Sequence, residues 1–250
     1  MGKFRNLSYS TDQERQNREE FASLFNNSPI PLDELIFNLQ LYLNRQSLSH
    51  LLFINELYQN VLKVHGDIFE FGVRWGRNMA LFEVLRGIYE PYNQTRKIVG
   101  YDTFSGFPSV HEKDGQSKII QKNAYSVTDN YDDYLTKVLN YHESENPRSY
   151  IKKHKLIKGD ATVKLEKYLL ENPQTIIALA YFDFDIYEPT KKCLELIKNH
   201  ITKGSIIGFD QLNHPDFPGE TIALKEVFGL DRYRIMRSPY NSYTSYIIID

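Results

Sequence analysis

A single cysteine, Cys193, occurs among the 250 residues. With no partner for it, an intramolecular disulfide framework and any cysteine-cluster zinc centre are excluded, and a metal would have to sit on oxygen or imidazole ligands. Charge of one sign is not in excess either: 30 Lys plus Arg face 32 Asp plus Glu, a formal net charge of -2. Without a global positive field, counterion release cannot drive association with nucleic acid, so no nucleic-acid partner is expected. Long hydrophobic runs are also missing. The longest, around Ile176 to Phe182, falls far short of the ~20 residues a membrane helix requires, so no membrane span is expected and the protein reads as soluble and cytoplasmic.

What remains is the balance of an ordinary globular chain, 41% hydrophobic and 25% charged, without internal repeats. Residues 1 to about 30 are polar and rich in Asn, Gln and Arg. From Leu32 to Val64 apolar residues recur at helical spacing: Leu35, Ile36, Leu39 and Leu43, then Leu51, Leu52, Ile54, Leu57, Val61 and Leu62. The expected division is an N-terminal arm and helical cap over 1–64 and a main domain over 65–250, forming one compact unit. The apolar positions of those cap helices can bury against a second subunit, so a homo-oligomer is expected.

Beyond Gly66, short β-rich runs alternate with helical stretches. Strands are expected at Asp67–Phe71, Lys97–Asp102, Lys155–Lys158, Ile176–Phe182, Ser205–Phe209, Arg234–Met236 and Tyr243–Ile249. Helical patterns at Asn78–Tyr89, Thr128–Tyr141, Ala161–Leu170 and Pro189–His200 separate the first five. Such alternation predicts an α/β fold with a mostly parallel sheet covered on both faces, and the turn-rich Ser238–Ser242 predicts a closing antiparallel hairpin. Ligands of such sheets bind at the carboxyl ends of the strands.

Acidic residues and glycines gather at those ends. The first strand runs into Glu70-Phe71-Gly72-Val73-Arg74-Trp75-Gly76-Arg77-Asn78. Its glycines suit a tight turn, but a dinucleotide fingerprint would need glycines where Arg74 and Arg77 stand. Asp102 ends the second strand, where a carboxylate can accept ribose hydroxyls or cap the Thr103-Phe104-Ser105-Gly106 turn. Asp160 follows Gly159 and either caps the next helix or borders an adenine. Asp183 and Asp185 end the fourth strand and Asp210 the fifth, followed by Gln211 and His214. Carboxylates at neighbouring strand tips repel unless a cation lies between them, and Mg²⁺ bound through one or two carboxylates fits that need; helix caps are the simpler alternative.

The blocks Glu70-Phe71-Gly72-Val73-Arg74-Trp75-Gly76, Tyr101-Asp102-Thr103-Phe104-Ser105-Gly106-Phe107-Pro108 and Asp183-Phe184-Asp185-Ile186-Tyr187-Glu188-Pro189-Thr190, with Phe209-Asp210 and Pro218-Gly219 beyond, resemble the class I S-adenosylmethionine-dependent methyltransferases. Within that class they are similar to the macrocin O-methyltransferase-like group, which methylates sugar hydroxyls. The resemblance spans roughly Gly66 to Leu230. It implies a Rossmann-like seven-stranded sheet with a reversed last strand, and S-adenosylmethionine as cofactor. It also implies that Glu70, Gly72, Arg74, Trp75, Gly76 and Asn78 shape the pocket for the methionine part. Asp102, Thr103 and Phe104 would then hold the ribose, and Gly159, Asp160 and Ala161 border the adenine, with Asp183 reaching the cofactor as well.

The same resemblance makes Asp183 and Asp210 magnesium ligands and Asp185 the general base. The chain departs from the pattern at Gln211, a neutral third ligand where relatives carry a second acid or an Asn, which weakens the charge match to Mg²⁺. His214, an imidazole, is then the nearest alternative base, although it also reads as a loop residue. The reading that follows is an O-methyltransferase acting on a sugar hydroxyl of a nucleotide sugar, glycoside or surface-polysaccharide precursor, a small-molecule or saccharide substrate. Alternatives are methylation of an amine or a phosphorylated small alcohol, or a non-catalytic binding protein that retains the fold.

Overall fold

Apolar runs of five or six residues, each closed by an acid or a glycine, become the central strands of the computed structural model, which describes residues 10–250. Residues 1–9 of the expected arm lie outside the described residues. The strands are β1 (Asp67–Phe71), β2 (Ile98–Asp102), β3 (His154–Lys158), β4 (Ile177–Phe182), β5 (Ile201–Phe209), β6 (Met236–Arg237) and β7 (Ser245–Ile248). They form one seven-stranded sheet in the order β3-β2-β1-β4-β5-β7-β6. Strands β1 to β5 pair in parallel, and β7 runs antiparallel to both β5 and β6. The expected closing hairpin forms, with its second strand inserted between β5 and its first. From β1 the chain proceeds outward through β2 and β3 on one side and through β4 and β5 on the other. The carboxyl ends of β1 and β4 therefore flank the crevice where the strand order reverses.

Side chains alternate across β1: Phe69 and Phe71 face one layer, while Ile68 and Glu70 face the other. The first layer packs Phe69, Phe71, Phe182, Ile207 and Phe209 against α6 (Ala161–Glu171), α7 (Tyr187–Ile197) and α8 (Gly219–Val227). The second packs Ile68, Leu179, Tyr181 and Ile206 against α3 (Arg45–Val61), α4 (Arg77–Tyr89) and α5 (Tyr131–Ser144). Glu70 thus lies on the α3–α4 side.

Helices α4 to α7 fall at the four expected crossovers. Two helices were not expected. α1 (Asp12–Asn26) occupies part of the segment read as an arm, and it opens with a capping box in which Glu14 N–H donates to Thr11 Oγ1 (3.2 Å) and Thr11 N–H to Glu14 Oε2 (2.8 Å). α8 carries a weak apolar signal because its buried face is Gly219, Glu220, Ala223, Leu224 and Val227. α1, α2 (Leu32–Leu35) and the following 3-10 helix (Ile36–Tyr42) bury no residue. α3 is different: Phe53, Ile54, Leu57, Tyr58 and Val61 are wholly buried, so this helix belongs to the sheet's own core.

That contrast sets a stability prediction. Leu57→Ala, which empties a fully buried site, lowers the unfolding free energy in urea titration by about 3 kcal/mol. Val163→Ala, on the exposed face of α6, changes it by about 0.5 kcal/mol or less.

Candidate active site

A cavity of about 230 Å³ opens at the carboxyl ends of the parallel strands. Its wall takes Gly72, Arg74, Trp75, Arg77 and Asn78 from the segment after β1, and Asp102 and Thr103 from the end of β2. Gly159, Asp160 and Ala161 come from the end of β3, Asp183 and Asp185 follow β4, and Asp210 and Gln211 follow β5. Among the described residues, five strand tips therefore contribute to one concavity.

The loop after β1 is shaped by backbone geometry. Gly72 has φ +96°, and a Cβ there would run into the Asp183 carbonyl oxygen, so only glycine lets β1 and β4 tips approach this closely. Arg74 and Phe104 hold positive φ values of 48° and 57°. Both strained residues are tied by one side chain: Arg74 N–H donates to Asp102 Oδ2 (2.7 Å) and Phe104 N–H to Asp102 Oδ1 (2.6 Å). Asp102 is thus both a clamp for two loops and a cavity-lining carboxylate whose oxygens each keep a second acceptor site. Trp75 is braced by Tyr131, whose hydroxyl donates to the Trp75 carbonyl (3.0 Å) and whose ring meets the indole edge-on at 4.7 Å.

Behind the wall, Asn78 Nδ2 donates to Glu70 Oε1 (2.9 Å), and His50 Nε2 lies 2.5 Å from Asn78 Oδ1. Glu70 is fully buried, and its second oxygen has no hydrogen-bond partner. Burial pushes its carboxyl up to about 8.

The floor is acidic. Asp185, 4% exposed, stands at φ 62°, in a left-handed conformation that Asp tolerates. Glu220, on the first turn of α8 and fully buried, accepts from Phe184 N–H (3.0 Å), Asp185 N–H (3.2 Å) and Gln211 N–H (3.4 Å). It brackets the loops after β4 and β5 together. Tyr181 Oη donates to Asp210 Oδ1 (2.9 Å). The Arg77 guanidinium lies 3.8 Å from Asp183 Oδ2 and 3.7 Å from Asp210 Oδ1. Burial, reinforced by neighbouring acids, drives Asp183 and Glu220 well above the usual carboxylate range. Burial and the charge of Asp210 raise Asp185 to about 7, partly opposed by Arg74 and Arg77. Asp185 Oδ1 and Gln211 Oε1 are buried with no hydrogen-bond partner.

Not every residue singled out in the sequence reaches the cavity. Glu70, Gly76 and Phe104 stand behind the wall, and Asp160 also caps α6 through Thr162 N–H (2.9 Å). His214 lies outside the cavity wall: its Nδ1 accepts from Asp216 N–H (3.1 Å), and its ring packs on Tyr243 (4.3 Å) and Phe217 (5.2 Å). Sequence reasoning missed Arg77, Tyr181 and Glu220 as site groups. Only Arg77 carried a local signal, as a cation beside the glycine loop.

Oxygen donors of the carboxylate and amide type suit a hard divalent cation, and two of them lack any partner, so the floor fits Mg²⁺ in ligand chemistry. Asp183, Asp185 and Asp210 are not, however, gathered tightly: among the described residues the one such trio is Glu83, Glu143 and His154, already neutralised by Arg86 and Lys153. The cofactor side also fits, since Gly72 allows close backbone approach and the Asp102 carboxylate lines the cavity with acceptor capacity to spare.

A reversed β7 beside five parallel strands, with this glycine cradle at the switch point, is the arrangement that the resemblance to class I S-adenosylmethionine-dependent methyltransferases implies. Comparison with solved structures agrees. The crystal structure of CalS11, calicheamicin methyltransferase, superposes with a TM-score of 0.93 at 42% identity, covering 99% of this chain and 98% of that one. The apo structure of CalS11, TDP-rhamnose 3'-O-methyltransferase of calicheamicin biosynthesis, gives 0.85 at 41% identity over 97% and 96%. The chain belongs to the O-methyltransferase family of CalS11. The O-methyltransferase NovP shares the fold, with a TM-score of 0.58 at 16% identity over 80% and 79% of the two chains. No protein-family model and no curated protein matches the sequence. Among the described residues no helix is long and apolar enough to cross a membrane.

The buried acids make stability pH-dependent. Glu70 has a folded value near 8 against an ordinary 4.5, so the folded state holds the proton more tightly. Its contribution is complete below about pH 4.5 and is lost as pH rises through about 8. Calorimetry of the cofactor-free protein therefore finds a melting temperature that falls from pH 5 to pH 8, and Glu70→Gln flattens part of that fall. A melting temperature that rises over this interval contradicts the assignment.

Proposed function

We propose that the cavity methylates a sugar hydroxyl on a nucleotide sugar or glycoside, with Asp185 as the general base. The observation that carries this reading is the buried Asp185 carboxyl, facing the cavity with one oxygen unpartnered and poised to titrate near 7. Family membership with CalS11, a TDP-rhamnose 3'-O-methyltransferase, supports a sugar as the acceptor.

The cofactor, when bound, supplies a methyl group already activated on a sulfonium. The protein's task is then alignment and an acceptor oxygen with electron density to give. Gly72 and Asp102 hold the cofactor side, and Asp160 and Ala161 border it. Asp185, ionised above about pH 7, takes the acceptor's proton, which is worth about 10²- to 10⁴-fold in rate. Mg²⁺ held by Asp183, Asp210 and Gln211 would lower the pKa of a coordinated hydroxyl.

The segment after β2 lines the cavity with Gly106, Phe107, Pro108 and Tyr125, and Arg74 stacks 4.7 Å from the Tyr125 ring. The segment's far end is pinned by Asp114, which accepts from Tyr187 N–H (2.5 Å) and His111 N–H (2.7 Å), and by Lys113 on Glu226 (2.6 Å).

A second copy of the chain belongs to the same proposal. Nine large apolar side chains between Phe21 and Leu43 are exposed, Leu32 and Phe37 by 80% and 78%. Together they present on the order of 1,000 Å² of apolar surface, more than a monomer ordinarily shows and about what one partner contributes to a stable interface.

Two measurements test these statements. Asn tolerates the positive φ of residue 185, so Asp185→Asn isolates the chemistry: turnover falls by about 10²-fold or more, while S-adenosylmethionine titrated against Trp75 fluorescence binds as before. In the parent enzyme kcat/KM rises with pH through about 7 and levels; this limb is absent from the variant. In sedimentation velocity the full chain is a dimer or larger and Phe37→Glu is a monomer of unchanged melting temperature; a monomeric parent protein at tens of micromolar contradicts the interface.

A further inference from the structure

The acidic floor is held by a cation that the protein carries itself. Arg77 is the first residue of α4, directly after the glycine loop, and its guanidinium stands astride the tips of β4 and β5. At 3.8 Å from Asp183 and 3.7 Å from Asp210 it is too far for a good hydrogen bond to either and close enough to neutralise both. Its side chain is more than half exposed, so it can swing away at little cost in packing. Around it the oxygens outnumber the cations. Asp183, Asp185, Asp210 and Glu220 converge, one Asp185 oxygen and the Gln211 amide oxygen are buried without partners, and Arg74 is the other cation on the wall.

Mg²⁺ or Mn²⁺ binds carboxylate oxygens at about 2.0–2.1 Å, and a guanidinium cannot share that space with a divalent ion. Resting on the methyltransferase reading of the cavity, we propose that Arg77 is a built-in counter-cation that spaces Asp183 and Asp210 in the metal-free enzyme and must move off them before a divalent cation binds. It is a positioning residue that sets metal affinity. The spread of Asp183, Asp185 and Asp210, which leaves them short of a ready-made ligand trio, is the expected geometry of a site whose ligands are held by a larger, singly charged group. The neutral Gln211 acts in the same direction: with two carboxylate ligands in place of three, one arginine balances half the charge and competes effectively.

The test is a Mn²⁺ titration of the full chain, with free Mn²⁺ read by its electron paramagnetic resonance signal, on the parent protein, Arg77→Met, Arg77→Gln and Arg77→Met/Asp210→Asn. Removing two partly exposed ion pairs is worth roughly tenfold, so both single variants bind one Mn²⁺ about tenfold more tightly than the parent, and the double variant loses it. Two substitutions guard against a folding defect in either, checked by melting temperature. Equal or weaker Mn²⁺ binding in the variants, or none in any protein, overturns the proposal. So does loss of S-adenosylmethionine binding by calorimetry with Mn²⁺ affinity unchanged, which would assign Arg77 to the cofactor. A parent protein that binds no S-adenosylmethionine would instead defeat the methyltransferase reading, a result independent of the Mn²⁺ comparison.

Discussion

Four carboxylates, those of Asp183, Asp185, Asp210 and Glu220, are gathered at one end of a sheet whose strands are otherwise apolar. Mutual repulsion and loss of hydration both oppose that arrangement. Much of the local structure answers it. Backbone N–H groups of Phe184, Asp185 and Gln211 turn toward Glu220, the Tyr181 hydroxyl turns toward Asp210, and Arg77 stands between the two strand tips. The positive φ at Asp185 is part of the same answer, since it presents the backbone N–H to Glu220 while leaving the side chain in the cavity. Strain and buried charge of this kind persist only where the surroundings over-determine them. Here the two apolar layers on either side of the sheet supply that rigidity.

The two halves of the cavity differ in what they present. The tips of β1 and β2 work mostly through backbone shape, with Gly72 allowing close approach and Asp102 fixing both loops. The tips of β4 and β5 work through side-chain charge. Reversal of the strand order between β1 and β4 makes these halves neighbours, so a cofactor seated on the first is carried against the acids of the second. The segment after β2 adds Gly106, Phe107, Pro108 and Tyr125 to the same wall and is pinned at Asp114 and Glu226.

Much of this was legible in the amino-acid sequence. The strands could be placed to within a few residues because β1, β2 and β4 are short apolar runs ended by Gly or Asp, and the Asp183-Phe184-Asp185 block marked the floor. What escaped has physical reasons. α1 sits on a polar segment whose capping box is its clearest sign, and α8 hides behind small residues and a buried acid. Glu220 lies 35 residues from Asp185 in sequence and becomes its bracket through the tertiary fold alone. Arg77 was visible as an obstacle to a dinucleotide pyrophosphate, but its place across Asp183 and Asp210 depends on the register of β4 and β5. His214 is close to Asp210 in sequence, yet the loop carries its ring toward Tyr243 and Phe217 instead.

The most direct measurement is a crystal structure of the protein with S-adenosylhomocysteine and a TDP-sugar bound. The homocysteine part is expected on the Gly72 loop, the adenine beside Asp160 and Ala161, and one sugar hydroxyl within hydrogen-bond reach of Asp185. A cofactor seated elsewhere, or an acceptor hydroxyl facing away from the β4 tip, would contradict the account.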